Sequence, residues 1–172
     1  MKYLDLIFFS VIFLASFFAR TAMADVSGAA VTWSAKANPG LININAEGGT
    51  ASGSWAIKNG MGSGKFDCVL ADFKTGIDLR DEHMKDKYLE TKKFPKATLV
   101  VDPVKISENF EWSGKLTLKG VTKPVKGTAS ISGGELKAEF IVNIEDFPSL
   151  KVPSYLGVTM AKTVTVNVSG KI

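Results

Sequence analysis

The sequence predicts an all-β domain whose neighbouring strands run mostly antiparallel. Three features predict it: apolar and polar residues alternate with period two along most of the chain, the breaks between alternating runs hold the residues of tight reversals, and only one segment has helical spacing. The clearest strand lies between Phe110 and Lys119, where Phe110, Trp112, Gly114, Leu116 and Leu118 share one face and Glu111, Ser113, Lys115, Thr117 and Lys119 the other. Leu136, Ala138, Phe140 and Val142 repeat the pattern opposite Glu135, Lys137, Glu139 and Asn143, as do Val164, Val166 and Val168 opposite Thr163, Thr165 and Asn167. Weaker alternation over Val31 to Trp33, Ile42 to Ala46, Trp55 to Ile57, Phe66 to Leu70, Leu99 to Val104 and Val125 to Ile131 brings the candidate strands to nine.

Asn59-Gly60 and Gly133-Gly134 supply the positive φ angles of two-residue antiparallel turns, and Glu47-Gly48-Gly49 is expected to be a third reversal. Leu79 to Lys92, with Met84 and Tyr88 four apart among charges, is expected to be helical until Pro95 stops it. Glu145 to Lys162, holding Pro148 and Pro153, reads as irregular. An antiparallel sheet of this extent must hide an apolar face and dispose of its edges. Closure into a barrel does both, whereas a two-sheet sandwich buries the face and leaves edges to protect, and periodicity alone does not choose between them.

Composition narrows the function. The chain has 172 residues, 45% hydrophobic and 22% charged, in the range of one globular domain rather than a disordered or collagen-like chain. With one Cys and one His it can make no intrachain disulfide and no closed zinc site. The net charge of +4 comes from scattered lysines, which does not make a nucleic-acid face. At the N-terminus, Lys2 precedes an apolar run from Leu6 to Phe18, and Ala22-Met23-Ala24 has the small-x-small pattern of signal-peptidase cleavage. As a helix that run would span roughly 20 Å, short of a ~30 Å hydrocarbon core. Residues 1–24 are therefore expected to be a signal peptide cleaved near Ala24, leaving residues 25–172 as the domain of a periplasmic or secreted protein.

Few residues carry obvious chemistry. His83 follows Asp81 in Arg80-Asp81-Glu82-His83, so an acid–base pair is conceivable, yet a lone histidine on a short charged helix fits a surface or mouth position better. Cys68 shares the apolar face of its strand with Phe66 and Leu70 and reads as a small buried hydrophobe. Gly60 to Lys65 lacks the full spacing of a phosphate loop and leads into a strand instead of a helix. Asn167-Val168-Ser169 spells a glycosylation acceptor but sits within a strand. The aromatic residues say more: Trp33, Trp55, Phe66, Phe110, Trp112 and Phe140 can share the inward face, with Met84, Tyr88, Phe94 and Phe147 in the irregular segments. They form either a packed core or the wall of a pocket.

Three stretches together resemble the YceI-like family of exported lipid-binding proteins. They are Thr75-Gly76 through Arg80-Asp81-Glu82-His83-Met84 to Lys93-Phe94-Pro95-Lys96-Ala97-Thr98-Leu99, then Gly114-Lys115-Leu116-Thr117-Leu118-Lys119-Gly120-Val121-Thr122-Lys123-Pro124-Val125, and Ile144-Glu145-Asp146-Phe147 leading into Val164-Thr165-Val166. The middle stretch is the most specific. Arg80, Asp81, His83 and Met84 match the family's Arg-Asp-x-His-hydrophobic segment and Phe94-Pro95 its aromatic-proline turn, while its N-terminal Asp-x-x-His-Ser-like segment has no match between Asp25 and Trp33. The resemblance implies a lipocalin-like, extended antiparallel β-barrel of about eight strands with a short helical insertion, holding a long-chain isoprenoid, quinone or fatty-acid-derived lipid without catalysis, cofactor or metal. Within such a barrel, the aromatic inventory and the helical segment lead us to expect lipid contacts from Trp55, Phe66, Met84, Tyr88, Phe94, Trp112, Phe140 and Phe147, with Arg80 or His83 near a polar head. Transient membrane contact and a homodimer are compatible with this reading. The alternatives are a lipid-modifying enzyme using Asp81 and His83, or a structural exported protein with a packed core.

Overall fold

A computed structural model describes residues 21–38, 42–155 and 157–171. The strands are β1 (Ala22–Asn38), β2 (Ile42–Lys58), β3 (Met61–Val69), β4 (Lys96–Lys105), β5 (Asn109–Leu118), β6 (Val121–Ser132), β7 (Glu135–Asn143), β8 (Ser154–Tyr155), β9 (Val158–Met160) and β10 (Thr163–Lys171). All pairings are antiparallel. From β1 to β7 each strand pairs with the next, β7 pairs with β10, and β10 returns to β1 through Ala30↔Ser169 to Ser34↔Thr165. Eight long strands thus close into a barrel, leaving the β8–β9 hairpin attached to the end of β1 at Ala37↔Met160. Closure removes the edges a sandwich would have to protect. Most of the expected signal peptide lies outside the described residues, while Ala22, Met23 and Ala24 form rungs with Ile57, Ala56 and Trp55.

The expected reversal at Glu47-Gly48-Gly49 is instead a bulge inside one 17-residue strand, β2, so two of the nine candidate strands merge. Gly48 takes φ +87°, where the β1–β2 register shifts between Val31 and Trp33. The Glu47 backbone exchanges two 2.9 Å hydrogen bonds with Lys74, and a Cβ on Gly49 would lie 2.4 Å from the Phe73 ring. These glycines permit close approach rather than a turn. The Asn59-Gly60 and Gly133-Gly134 turns do have positive φ throughout, and a third turn, Lys119-Gly120, shares the geometry at φ +49° and +75°. The helix is shorter than its spacing predicts: α1 (Asp78–Glu82) passes into a π-helical turn, His83–Tyr88, and Glu90 at φ +50° ends it.

The two ends of the barrel differ. Asn59-Gly60, Gly133-Gly134 and the short 106–108 link close one end, whereas the 70–95 segment, the Lys119-Gly120 turn and residues 144–162 gather at the other. Lys119, which alternation places on the polar face, is buried there. Its ammonium donates to the Tyr88 carbonyl at 3.0 Å, the Ser149 carbonyl at 2.9 Å and Glu90 Oε1 at 2.5 Å. All three N–H donors are used, so one cation ties the helical segment and the 144–150 loop to the β5–β6 turn.

Lys119→Ala strands the Tyr88 and Ser149 carbonyls, and we expect a loss of about 2 kcal/mol or more, read as a lower urea midpoint. The Lys119 hydrogen bond, partly opposed by desolvation and aided by the Lys119 and Lys93 charges, holds the Glu90 carboxyl below its ordinary value of 4.5. A carboxyl depressed in the folded state contributes stability above its unfolded value and loses it as pH falls through the folded value. Glu90→Gln should therefore lower stability at neutral pH and flatten its decline below about pH 4.5, measured by urea melts across an acid series.

Candidate functional site

Inside the barrel, the buried apolar residues form two clusters rather than one centre. One gathers Val101, Trp112, Leu116, Val125, Ala129, Phe140, Val142 and Phe147; the other gathers Ala29, Val31, Ala46, Ala51, Leu70, Phe73 and Met84. Between these walls lies a cavity of about 730 Å³, within the usual range of ~300 to 1,000 Å³ for small-molecule sites. Period-two alternation delivers its lining, since Phe110, Trp112, Leu116 and Leu118 of β5, Leu136, Ala138, Phe140 and Val142 of β7, and Val164, Val166 and Val168 of β10 all face it. Trp33, Trp55, Phe66, Phe73 and Tyr88 add to the aromatic part of the wall.

Large rings are held back against the sheet. Trp112 meets Phe140 edge to face at 5.4 Å between centroids and donates its indole N–H to the Thr128 carbonyl at 3.2 Å. Gly127 makes room for that indole, because a Cβ there would lie 2.8 Å from Trp112 Cζ2. Trp55 stacks on Phe66 at 6.1 Å and lies over Gly62 and Gly64. Elsewhere the wall is thin: Ala29, Ala37, Ala51, Ala97, Ala129 and Ala138 all line the cavity. Alternation places Ala138 on the inward face but reports which face a residue takes, not whether its size fills the space behind it, so a thin wall is not legible from it.

Of the residues the sequence singled out, Trp55, Phe66, Arg80, His83, Met84, Tyr88, Trp112 and Phe140 come together around this cavity. Phe94 and Phe147 do not line it. Phe147, 1% exposed, is packed into the cluster around Trp112, held by hydrogen bonds of its backbone to Ile144 and Leu150. Phe94 lies beside the Lys119-Gly120 turn, with the Lys93 ammonium 5.1 Å from its ring centroid. Both belong to segments without period-two order, where alternation gives no direction.

Polar lining is concentrated at the end that gathers the loops, where Thr75, Arg80, His83, Tyr88, Lys151 and Ser154 meet the cavity. Asp67 turns its carboxylate to Thr98 at 2.7 Å and Lys96 at 3.6 Å. Cys68 faces the cavity half-buried, and desolvation with the nearby Asp72 charge pushes its thiol up to about 11, so it stays protonated. Arg80 donates to the Thr75 hydroxyl at 2.8 Å and carbonyl at 2.6 Å, while Asp81 accepts from the Thr75 amide at 2.7 Å and from its hydroxyl. Desolvation raises the Asp81 carboxyl, but the two Thr75 bonds, with Lys85 and Arg80, outweigh it and hold the group below its ordinary range. Asp81 is absent from the cavity lining and borders a surface groove with Lys74, Asp78 and Lys85, so of the two residues in the alternative enzymatic reading His83 lines the cavity and Asp81 does not. Among the described residues, no three His, Cys, Asp or Glu side chains converge as metal ligands would.

The comparisons with known proteins agree with this architecture. The model of the YceI-like domain matches residues 23–172. Over 80 residues the chain is 35% identical to a UPF0312 protein of Pectobacterium carotovorum, covering 40% of this chain and 42% of that one. Over 66 residues it is 39% identical to a UPF0312 protein of Photorhabdus laumondii, covering 37% and 34%. The chain thus matches less than half the length of these relatives. In fold it is similar to a polyisoprenoid-binding domain from Saccharophagus degradans (TM-score 0.62, 18% identity, 87% of this chain and 97% of that one). It is also similar to BcnA of Burkholderia cenocepacia (TM-score 0.62, 18% identity, 82% and 94%) and to a YceI protein of Campylobacter jejuni (TM-score 0.55, 20% identity, 77% and 86%). With an alternating wall around a hollow interior and a family match spanning the whole barrel, the chain belongs to the YceI-like family.

Proposed function

We propose that this chain is an exported, noncatalytic binding protein that carries a long-chain isoprenoid, quinone or fatty-acid-derived lipid inside the barrel. The carrying observation is the cavity of about 730 Å³ whose strand-borne lining is almost wholly hydrocarbon. Burying apolar surface stabilises a complex by roughly 25 cal/mol per Å², or about 0.8 kcal/mol per methylene. A chain of a few isoprene units therefore gains enough to leave water without any charged anchor on the strands. Trp55, Phe66, Met84, Trp112 and Phe140 would contact the chain, and Arg80, His83, Tyr88 and Thr75 would meet its polar end. The fold similarity to a polyisoprenoid-binding domain supports this ligand class. A lipid-modifying reaction is the weaker reading, because Asp81 spends its carboxylate on Thr75 and lies off the cavity wall. Export rests on Lys2, the Leu6 to Phe18 run and Ala22-Met23-Ala24.

The test is organic extraction of protein purified from its own host, followed by mass spectrometry, for the wild type and for Ala138→Trp. Ala138 points into the cavity, so an indole there competes with the ligand for volume. The expected outcome is a stoichiometric long-chain lipid from the wild type and at least several-fold less from a folded Ala138→Trp. Equal lipid content in both proteins, or none in the wild type, would contradict the proposal.

A further inference from the structure

Among the described residues, the exposed large apolar side chains are Met23, Ile42, Ile57, Met61, Ile77, Leu79, Val100, Ile141 and Val158. Only Ile42, Ile77, Leu79 and Val158 also line the cavity. They are 57, 54, 52 and 40% exposed. All four stand at the end that gathers the loops: Ile42 opens β2 opposite Ala37, Val158 opens β9 in the adjoining hairpin, and Ile77 and Leu79 flank the start of α1. The apolar wall therefore continues outward through the mouth into an apolar lip.

That lip is held in place. Arg80 and Asp81 both grip Thr75, and the Asp81 amide donates to the Ile77 carbonyl at 2.9 Å, so the short turn displaying Ile77 and Leu79 is braced from within. The two cationic side chains of the mouth, Arg80 and Lys151, adjoin the lip, while Asp78 and Asp81 border the groove shared with Lys74, Lys85 and Lys92.

We propose that this lip docks on the surface of a phospholipid bilayer, so that a lipid passes between bilayer and cavity without crossing water. The proposal rests on the lipid-binding reading and adds its partner. Four half-exposed side chains around an opening supply only a fraction of the ~800 Å² per partner that a stable protein interface buries. Inserted among headgroups, the same side chains need no fixed hydrogen-bonding partner, and Arg80 and Lys151 meet phosphates. Ile77 and Leu79 are already about half buried, so sinking the remainder of each strengthens attachment by a factor of about four to ten.

The experiment is flotation of the full chain with phosphatidylcholine vesicles, for the wild type, Ile77→Ser/Leu79→Ser, Val158→Ser and Ile141→Ser. Ile141, 59% exposed, is on the outer wall between the inward Phe140 and Val142 and serves as the control. We expect the wild type and Ile141→Ser to float alike, the double variant to bind at least about tenfold more weakly, and Val158→Ser to fall between. Melting curves report whether each variant is folded, and the exposed positions make loss of fold a separate, visible result. A wild type that stays with the soluble fraction, a double variant that floats as well as the wild type, or binding that requires anionic lipid and vanishes in salt would each overturn the proposal. Loading of the wild type with a polyprenol from detergent micelles reads the lipid-binding reading separately: loading without flotation defeats the docking surface alone, and failure to load defeats the reading beneath it.

Discussion

Closure of β10 onto β1 sets the width of the interior, and everything inside must answer to that width. An eight-stranded barrel can be filled by its own side chains or can keep room for one ligand, depending on the size of the inward residues. Here large rings take up space that glycines leave beside the sheet, as Trp112 does at Gly127 and Trp55 at Gly62, and alanines occupy wall positions where larger side chains would take up cavity volume. The continuous ladder supports the wall, so the sheet does not collapse inward to recover the dispersion contacts it forgoes. The hollow follows from a closed backbone combined with small side chains and rings seated against glycines.

The same closure makes the ends differ. Hairpins of minimal length leave no material for a cavity mouth, so the longer connections at the other end supply it. There the irregular backbone is disciplined by a few polar contacts: Lys119 gathers Tyr88, Glu90 and Ser149, and Thr75 is shared by Arg80 and Asp81. Polar chemistry in this protein thus serves chiefly to shape the opening, while the binding volume is apolar. That division suits a ligand with a long hydrocarbon body and a small polar end, and shape rather than pairing then governs selectivity, with each methylene worth only ~1 to 3 kcal/mol.

Much of this was legible in the sequence. Period-two order locates β5, β7 and β10 and assigns their inward faces, and the resemblance carried by three stretches, Gly114 to Val125 the most specific, chooses a barrel over a sandwich. The failures have physical causes. β1 is rich in Ala, Ser and Gly, so its 17 residues show little contrast between faces, and only Val31 to Trp33 stood out. Gly48 and Gly49 carry the composition of a turn but serve a bulge and the approach of Phe73. Lys119 reads in sequence as a solvent-facing strand residue because its partners lie 29 to 31 residues away. Phe94 and Phe147 stand out by residue type alone, and aromatic character does not say which side of a wall a loop residue takes.

The barrel is hollow because its wall residues are too small, or seated too close against the sheet's glycines, to fill it. A crystal structure of protein purified gently from its own host tests this most directly. The expected result is elongated non-protein density running from the level of Arg80 and Met84 down between the two clusters toward Phe110, with the aromatic rings kept against the sheet. Side chains swung inward to meet across the centre, with no continuous channel between the walls, would contradict it.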